Sequence, residues 1–388
     1  LRWGILGEVH HIRAQWHRGN LPGRDSWQQP LPGGQVPIGS DKPVDPIRDQ
    51  LQAFKRRYES TVDPQEREEL ARKIAQWEAW DSDKFVKAEE FGYIEEQWGE
   101  YRRTALEELC RWRLFERTGG GLMAELGSHQ LDAASIFLSA LRRDNKKAHP
   151  LTVYCVGGRH LFARDRDADD HVYCLFEFPG PGYDPDFPVG YYDPIYRIPR
   201  KDKGIPSYEE DPEKKVVVMY SSINGNGFGG YGETVMGTRG TLILEREQEV
   251  MLYKDSDTAT RVGVRTGEAG PVLDTQASGP AGALAKAAEP QNVSRGYREE
   301  LEHWAYCIRN RDPENLPRCR GEVALGDAVI ALGANIALQR AKLGQGGFLQ
   351  FRPEWFDVDS DEIPSPIDPA TGKPLISFEE ERKKLLGS

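Results

Sequence analysis

The chain has 388 residues, 38% of them hydrophobic and 29% charged, with a formal net charge of −11. This is a globular composition, unlike that of a disordered polyelectrolyte. Lys and Arg are interleaved with Asp and Glu, which argues against nucleic acid as a partner. The length suits two structural units, or one large sheet domain with insertions.

Val9 to His17 alternates, with Ile12, Ala14 and Trp16 on one face and His11, Arg13, Gln15 and His17 on the other, so a half-buried strand is expected. The Gly/Pro-dense stretch after it, "GNLPGRDSWQQPLPGGQVPIGSDKP", reads as a long loop, either a surface excursion or a wall of the site. A helical insertion is expected over 45–116. Asp63, Pro64 and Glu66 supply the cap, the first-turn proline and the capping-box acid of one helix, and Leu70, Ile74 and Trp77 supply its apolar stripe. A further helix carrying Leu106, Leu109 and Leu114 is expected to stop at Gly119.

From His129 to Arg142 the pattern is helical, with Leu131, Ala134, Leu138 and Leu141 inward. Strand-like runs follow: "LTVYCVGG", "HVYCLFEF", "KVVVMYSSI", "ETVMGTRGTLILE" and "EVMLYK". Strands in succession, without alternating helices, argue for an antiparallel or mixed sheet. Residues 179–214 and 267–293 read as loop insertions. Two helices, over 294–309 and 321–343, close the ordered pattern, and 351–388 form a polar tail. No apolar run is read as approaching a membrane span, and no signal peptide is read, so no membrane partner is expected. Location stays open between the cytoplasm and export to a bacterial periplasm.

Cys110, Cys155, Cys174, Cys307 and Cys319 are odd in number and form no C-x-x-C pair, so neither a disulfide framework nor a zinc site is signalled. Asp169, Asp170 and His171 have metal-ligand chemistry, but a strand start after a charged turn explains them equally, and no metal is expected. Gly225, Gly227 and Gly230 match G-x-G-x-x-G, yet strand rather than helix follows them. The match therefore reads as a glycine-rich hairpin, and no cofactor-binding residue is visible in the chain.

The stretch "GGGLMAELGSHQLD", Gly119 to Asp132, carries the acid/base spacing. Glu125, His129 and Asp132 are four and three residues apart and fall on one face of a helical backbone. An imidazole can take a hydroxyl proton near neutrality, and a carboxylate one turn away can orient it or a substrate hydroxyl. The three glycines would let a substrate approach the backbone. Equally, the same residues could cap and solvate a helix start.

This stretch resembles the G-G-G-x-L-x-(D/E)-x-G-x-H-x-x-D signature of the Gfo/Idh/MocA oxidoreductases, the glucose-fructose oxidoreductase and inositol dehydrogenase family, with Met123 in place of its Leu. "GILGEVHHIRAQW", "GYGETVMGTRGTLIL", "SRGYREELEHWAYCIRN" and "CRGEVALGDAVIALGANIALQ" are similar to other family phrases and occur in the family's order. The resemblance implies an α/β (α+β) fold with an open, mostly antiparallel mixed sheet and helices packed on one face, as in the family's C-terminal domain. It makes 1–8 a remnant of the junction with a Rossmann domain that is absent from this chain, and 9–350 the substrate and oligomerisation domain. It implies NAD or NADP, bound mainly by that absent domain, a sugar or polyol substrate, and a homo-oligomer. The family's E-K-P lysine has no counterpart here.

Carried over residue by residue, Glu125 and His129 would be catalytic, and Asp132 a substrate or helix-start contact. His17, Arg18 and Asn20, at the end of the first strand, could reach a polyol or serve as strand-end polar groups. The leading function is therefore hydride transfer on a hydroxylated compound, with this chain inactive alone. An NAD-dependent glycosidase reaction on the same fold and a non-catalytic scaffold are the alternatives.

Overall fold

In the computed structural model, Val9–His17 forms the strand β1, around which a nine-stranded sheet is assembled. The structure describes residues 1–362 and 364, apart from 3, 22–24, 38, 99–100, 143, 145, 183–204, 248, 255–262, 268–269, 275–284 and 287–295. After β1 come α1 (Pro46–Ser60), α2 (Pro64–Ser82), the short strands β2 (Glu96–Trp98) and β3 (Tyr101–Arg103), α3 (Ala105–Cys110), α4 (Glu116–Gly119), a π-helical turn over Met123–Gly127 and α5 (Ser128–Ser139). The strands β4 (Thr152–Gly158), β5 (His171–Pro179), β6 (Lys215–Ile223), β7 (Tyr231–Gly237), β8 (Gly240–Glu245), β9 (Glu249–Lys254), β10 (Gly263–Gly267), β11 (Gly270–Asp274) and β12 (Ala285–Lys286) follow. The order then closes with α6 (Tyr297–Arg309), α7 (Gly321–Lys342) and β13 (Phe348–Gln350).

The chain divides into two compact units. One holds 1–19, 122–160 and the described residues from 170 onward; the other holds 20–121 and 161–169.

In the second unit α1 and α2 pair through the edge-on contact of Phe54 with Trp77, ring centroids 5.6 Å apart, and through buried Leu51 and Leu70. Both helices start as cap chemistry requires. Asp45 Oδ1 accepts the Arg48 N–H at 3.0 Å and Asp63 Oδ1 the Gln65 N–H at 3.0 Å, each followed by a proline. Glu66 does not close a capping box, because its carboxylate is taken by Arg57 and the Thr61 hydroxyl. The single helix expected around Leu106, Leu109 and Leu114 is broken into α3, a 3₁₀ turn and α4. Within α3, Glu108 is fully buried, and its carboxylate pairs with Arg103 (3.0 Å) and Arg117 and accepts the Ile94 N–H (2.8 Å). A buried charge keeps its stability only with such partners. Arg166, also buried, pairs with Asp25 and Asp165 and joins the 161–169 segment to the long loop.

In the first unit the sheet order is β12-β9-β8-β7-β1-β6-β5-β4-β13. β1 runs parallel to β6 and antiparallel to β7, and the other pairs are antiparallel. The result is an open, mostly antiparallel mixed sheet. α5 and α7 cover one face, where Ile12, Ala14, Cys155, Cys174, Phe176, Val218 and Tyr220 are buried with Leu131, Leu138, Ile330 and Ala334. On the other face Tyr154, Val156, Tyr173 and Leu175 are 47–61% exposed. α7 is long and apolar enough to cross a membrane, which corrects the sequence reading that no run has that length. It packs on β4, β13 and α5 with Val329, Ile330 and Ala337 buried, as a core helix does. The apolar stripe of α6 (Tyr297, Leu301, Trp304, Ile308) faces outward.

Of the two expected loop insertions, 183–204 and most of 267–293 lie outside the described residues, while β11 and β12 fall within the second.

Gly127 lies where the π turn meets the sheet: a Cβ there would come 3.0 Å from Met123 Cε and 3.3 Å from Tyr220 Cε1. Gly127→Ala is expected to cost about 1–3 kcal/mol by overpacking, read as a lower urea midpoint with an unchanged m-value.

Candidate functional site

The glycine triplet serves the backbone. Gly120 and Gly121 have φ of 64° and 62°, in the left-handed region, and a Cβ on Gly119 would sit 2.8 Å from the Trp112 carbonyl. They end α4 and turn the chain into the next helix, so their glycine identity is explained without substrate approach. That helix then widens for one turn. Ser128 N–H bonds to Met123 O, five residues back, and the Ser128 hydroxyl donates to Ala124 O at 2.7 Å, supplying a carbonyl that the ladder leaves over. Such π turns recur at functional sites, and this one carries Glu125.

The Glu125 carboxylate, 13% exposed, lies 3.6 Å from Arg18 Nη1. His129 is exposed, its ring centroid 5.5 Å from that of Trp16. Trp16 stacks on Tyr231 at 4.5 Å and holds the Arg18 guanidinium 5.4 Å from its ring centroid. Arg18 and His129 therefore meet on one indole, and Arg18 brings Glu125 with it.

Asp132 is engaged elsewhere. It accepts from Lys147 Nζ at 2.7 Å, and the same ammonium donates to Asp327 at 2.6 Å and to Val323 O at 3.1 Å, so this cluster ties α5 to α7. Burial, and also the Asp132 charge, pushes the Asp327 carboxyl up to about 6 against the pull of Lys147. His17 points to the open face of the sheet, opposite Trp16. Its Nδ1 lies 2.9 Å from Phe228 O and its Nε2 3.1 Å from Ser221 Oγ. Asn20 belongs to the second unit, buried, and accepts from the Ser26 hydroxyl at 3.1 Å. Of the six expected site residues, the structure brings together Glu125, His129 and Arg18.

Asp170 is a structural acid. It accepts the His160 N–H through both oxygens, at 3.0 and 2.8 Å, and contacts His171 Nδ1 at 2.7 Å. Among the described residues no three His, Cys, Asp or Glu side chains gather as a metal site.

Gln130 and Glu233 escape the sequence reading. Glu233 pairs across the ladder with Ala14 and so points to the helix-covered face, 8% exposed. With its amide oriented for bonding, Gln130 donates to Glu233 Oε1 at 2.8 Å and reaches Gln15 O at 3.3 Å. The available signal is the alternation of "YGETVMG", which puts a charge at an inward position. Burial, and then the charge of Glu247, pushes this carboxyl up to about 7.

Gly225, Gly227 and Gly230 lie in the connection from β6 to β7, where Gly230 O accepts the His17 N–H at 2.8 Å and Gly227 lies against Gly19. No helix follows, so these residues do not form the helix N-terminus that would cradle a pyrophosphate. Among the described residues no strand, glycine turn and helix stand in that arrangement.

No family model and no curated relative matches the chain. Among solved structures it is similar to an NAD-binding oxidoreductase from Klebsiella pneumoniae (13% identity, TM-score 0.39), covering 89% of this chain. It is also similar to levoglucosan dehydrogenase in complex with NADH (11%, 0.38, 90% of this chain) and to a super-repressor mutant of Gal80p from Saccharomyces cerevisiae (8%, 0.39, 90%). The chain spans 60% of the length of each. Likeness at this level is remote and carries no functional argument.

Because the folded-state value of Glu233 lies above the ordinary 4.5, the folded chain binds this proton more tightly than the unfolded one. Its contribution is fully present below about pH 4.5 and is lost as the pH rises through about 7. Glu233→Gln should therefore be near neutral at about pH 4 and stabilising by up to about 3 kcal/mol at about pH 8, measured by urea unfolding. An equal effect at both pH values would contradict the assignment.

Proposed function

We propose that this chain supplies the substrate-binding and proton-transferring half of an NAD(P)-dependent oxidoreductase acting on a sugar, polyol or related hydroxylated compound. The observation that carries this reading is the convergence of Glu125, Arg18 and His129 around Trp16, on residues of the "GGGLMAELGSHQLD" signature.

In this reading His129, exposed at the rim, takes the hydroxyl proton as the carbon is oxidised. Glu125, beside the Arg18 cation, accepts a hydrogen bond from a neighbouring substrate hydroxyl. Trp16 fixes both flanking groups by packing. Asp132 contributes by anchoring α5, through Lys147, to α7. When bound, the nicotinamide supplies the hydride acceptor. Groups outside this chain would hold it, so the isolated chain is expected to be inactive. The homo-oligomer is assigned to the open face of the sheet, where Tyr154, Val156, Tyr173 and Leu175 stand exposed.

The test is an assay of the native protein with NAD and NADP against a panel of sugars and polyols. His129→Ala should lower kcat by ~100-fold or more, and a loss below about tenfold would remove His129 from the chemistry. Sugar release without net NADH would favour the glycosidase reaction, and a folded assembly binding neither nicotinamide nor sugar would favour a scaffold.

A further inference from the structure

Cys155 on β4 and Cys174 on β5 are direct cross-strand partners, both 1% exposed, with their sulfurs 2.9 Å apart. The ladder places them in the geometry a disulfide needs. Cys155 N–H bonds away from β5, to Gly347 O at 2.8 Å. In an antiparallel strand a residue's N–H and C=O point to the same side, so Cys155 and Cys174 form a non-hydrogen-bonded pair. Such pairs bring the Cα atoms to about 4.5 Å, inside the roughly 4.4–6.8 Å range that a disulfide spans. The side chains of such a pair also lean together. Neither thiol reaches the open face: both point under α5 and α7, where Cys174 Sγ lies 3.7 Å from Met123 Sδ.

We propose that Cys155 and Cys174 are a disulfide site, joined when the chain folds in the presence of a small-molecule disulfide oxidant. The thiolate of one cysteine attacks the oxidant's S–S bond, forming a mixed disulfide and releasing one reduced thiol. The second cysteine then attacks the sulfur of its partner, displacing the second thiol. Two protein thiols are oxidised and one oxidant disulfide is reduced to two thiols. The bond closes the chain excursion from β4 to β5 that carries 161–169, and it lies beneath the π turn that holds Glu125. Timing is set by burial, since an oxidant reaches these sulfurs only before the helices cover the sheet. Burial also raises the Cys174 thiol well above its ordinary value, which withholds the thiolate once folding is complete.

The experiment is a refolding comparison on the whole chain. Reduced, unfolded protein is refolded with oxidised glutathione or with dithiothreitol. It is then denatured in an alkylating reagent and mapped by peptide mass spectrometry. The expected result with oxidised glutathione is a linked Cys155–Cys174 peptide pair, with Cys110, Cys307 and Cys319 alkylated. With dithiothreitol all five cysteines should be alkylated. Already folded, reduced protein exposed to the same oxidant should keep Cys155 and Cys174 as thiols. Alkylation of both after oxidative refolding, or their pairing with Cys110, Cys307 or Cys319 instead, would overturn the proposal. Because the readout is made on the natural sequence, it does not depend on a variant folding. Cys174→Ala serves only to confirm the identity of the linked peptide.

Discussion

β1 is hydrogen-bonded along its length to β6 on one side and β7 on the other, which fixes where each of its side chains points. Its alternation then divides the candidate residues. Trp16 goes to the face covered by α5, and His17 goes to the open face, where Ser221 and the Phe228 carbonyl take both ring nitrogens. Beyond the strand, Arg18 folds back over Trp16 and reaches Glu125. The π turn completes the arrangement from the other side, lying flat on Tyr220 because residue 127 is a glycine. A strand in fixed register and a helix held against it leave the acid, the cation and the imidazole little room to separate.

Each unit pairs its own buried charges. Lys147 joins Asp132 to Asp327 between α5 and α7, and Glu108 holds Arg103 and Arg117 in the second unit. Each cluster is costly to break, because removing one partner leaves an uncompensated charge in a poorly solvated place. Glu233 differs. Its partner Gln130 is neutral, so burial raises its carboxyl to about 7 and stability becomes sensitive to pH close to the candidate site. The chain keeps an inward carboxylic acid within reach of the helix that carries His129.

Much of the fold is legible in local pattern. The runs "KVVVMYSSI" and "EVMLYK" are β6 and β9 to the residue, and "LTVYCVGG" and "HVYCLFEF" give β4 and β5 to within one residue. Asp63 and Pro64 start α2 as their chemistry requires. In two places the pattern misleads. Leu106, Leu109 and Leu114 suggest one helix, but burying Glu108 against Arg103 and Arg117 accompanies a break after Cys110. The apolar run of α7 escapes a sequence reading that looks for uninterrupted hydrophobicity, because Gly, Ala and Asn make it moderately apolar over a long span.

The candidate site divides in the same way. Helical spacing by itself determines only that Glu125, His129 and Asp132 share one segment as side chains able to exchange protons, because that depends on residue type and separation. Only tertiary structure decides that Arg18 joins Glu125 and His129, that Asp132 is spent on Lys147, that Gln130 meets Glu233, and that Cys155 faces Cys174. Those facts depend on strand register and on which element covers which face of the sheet. They follow from contacts between residues far apart in the chain, and local periodicity carries no record of them.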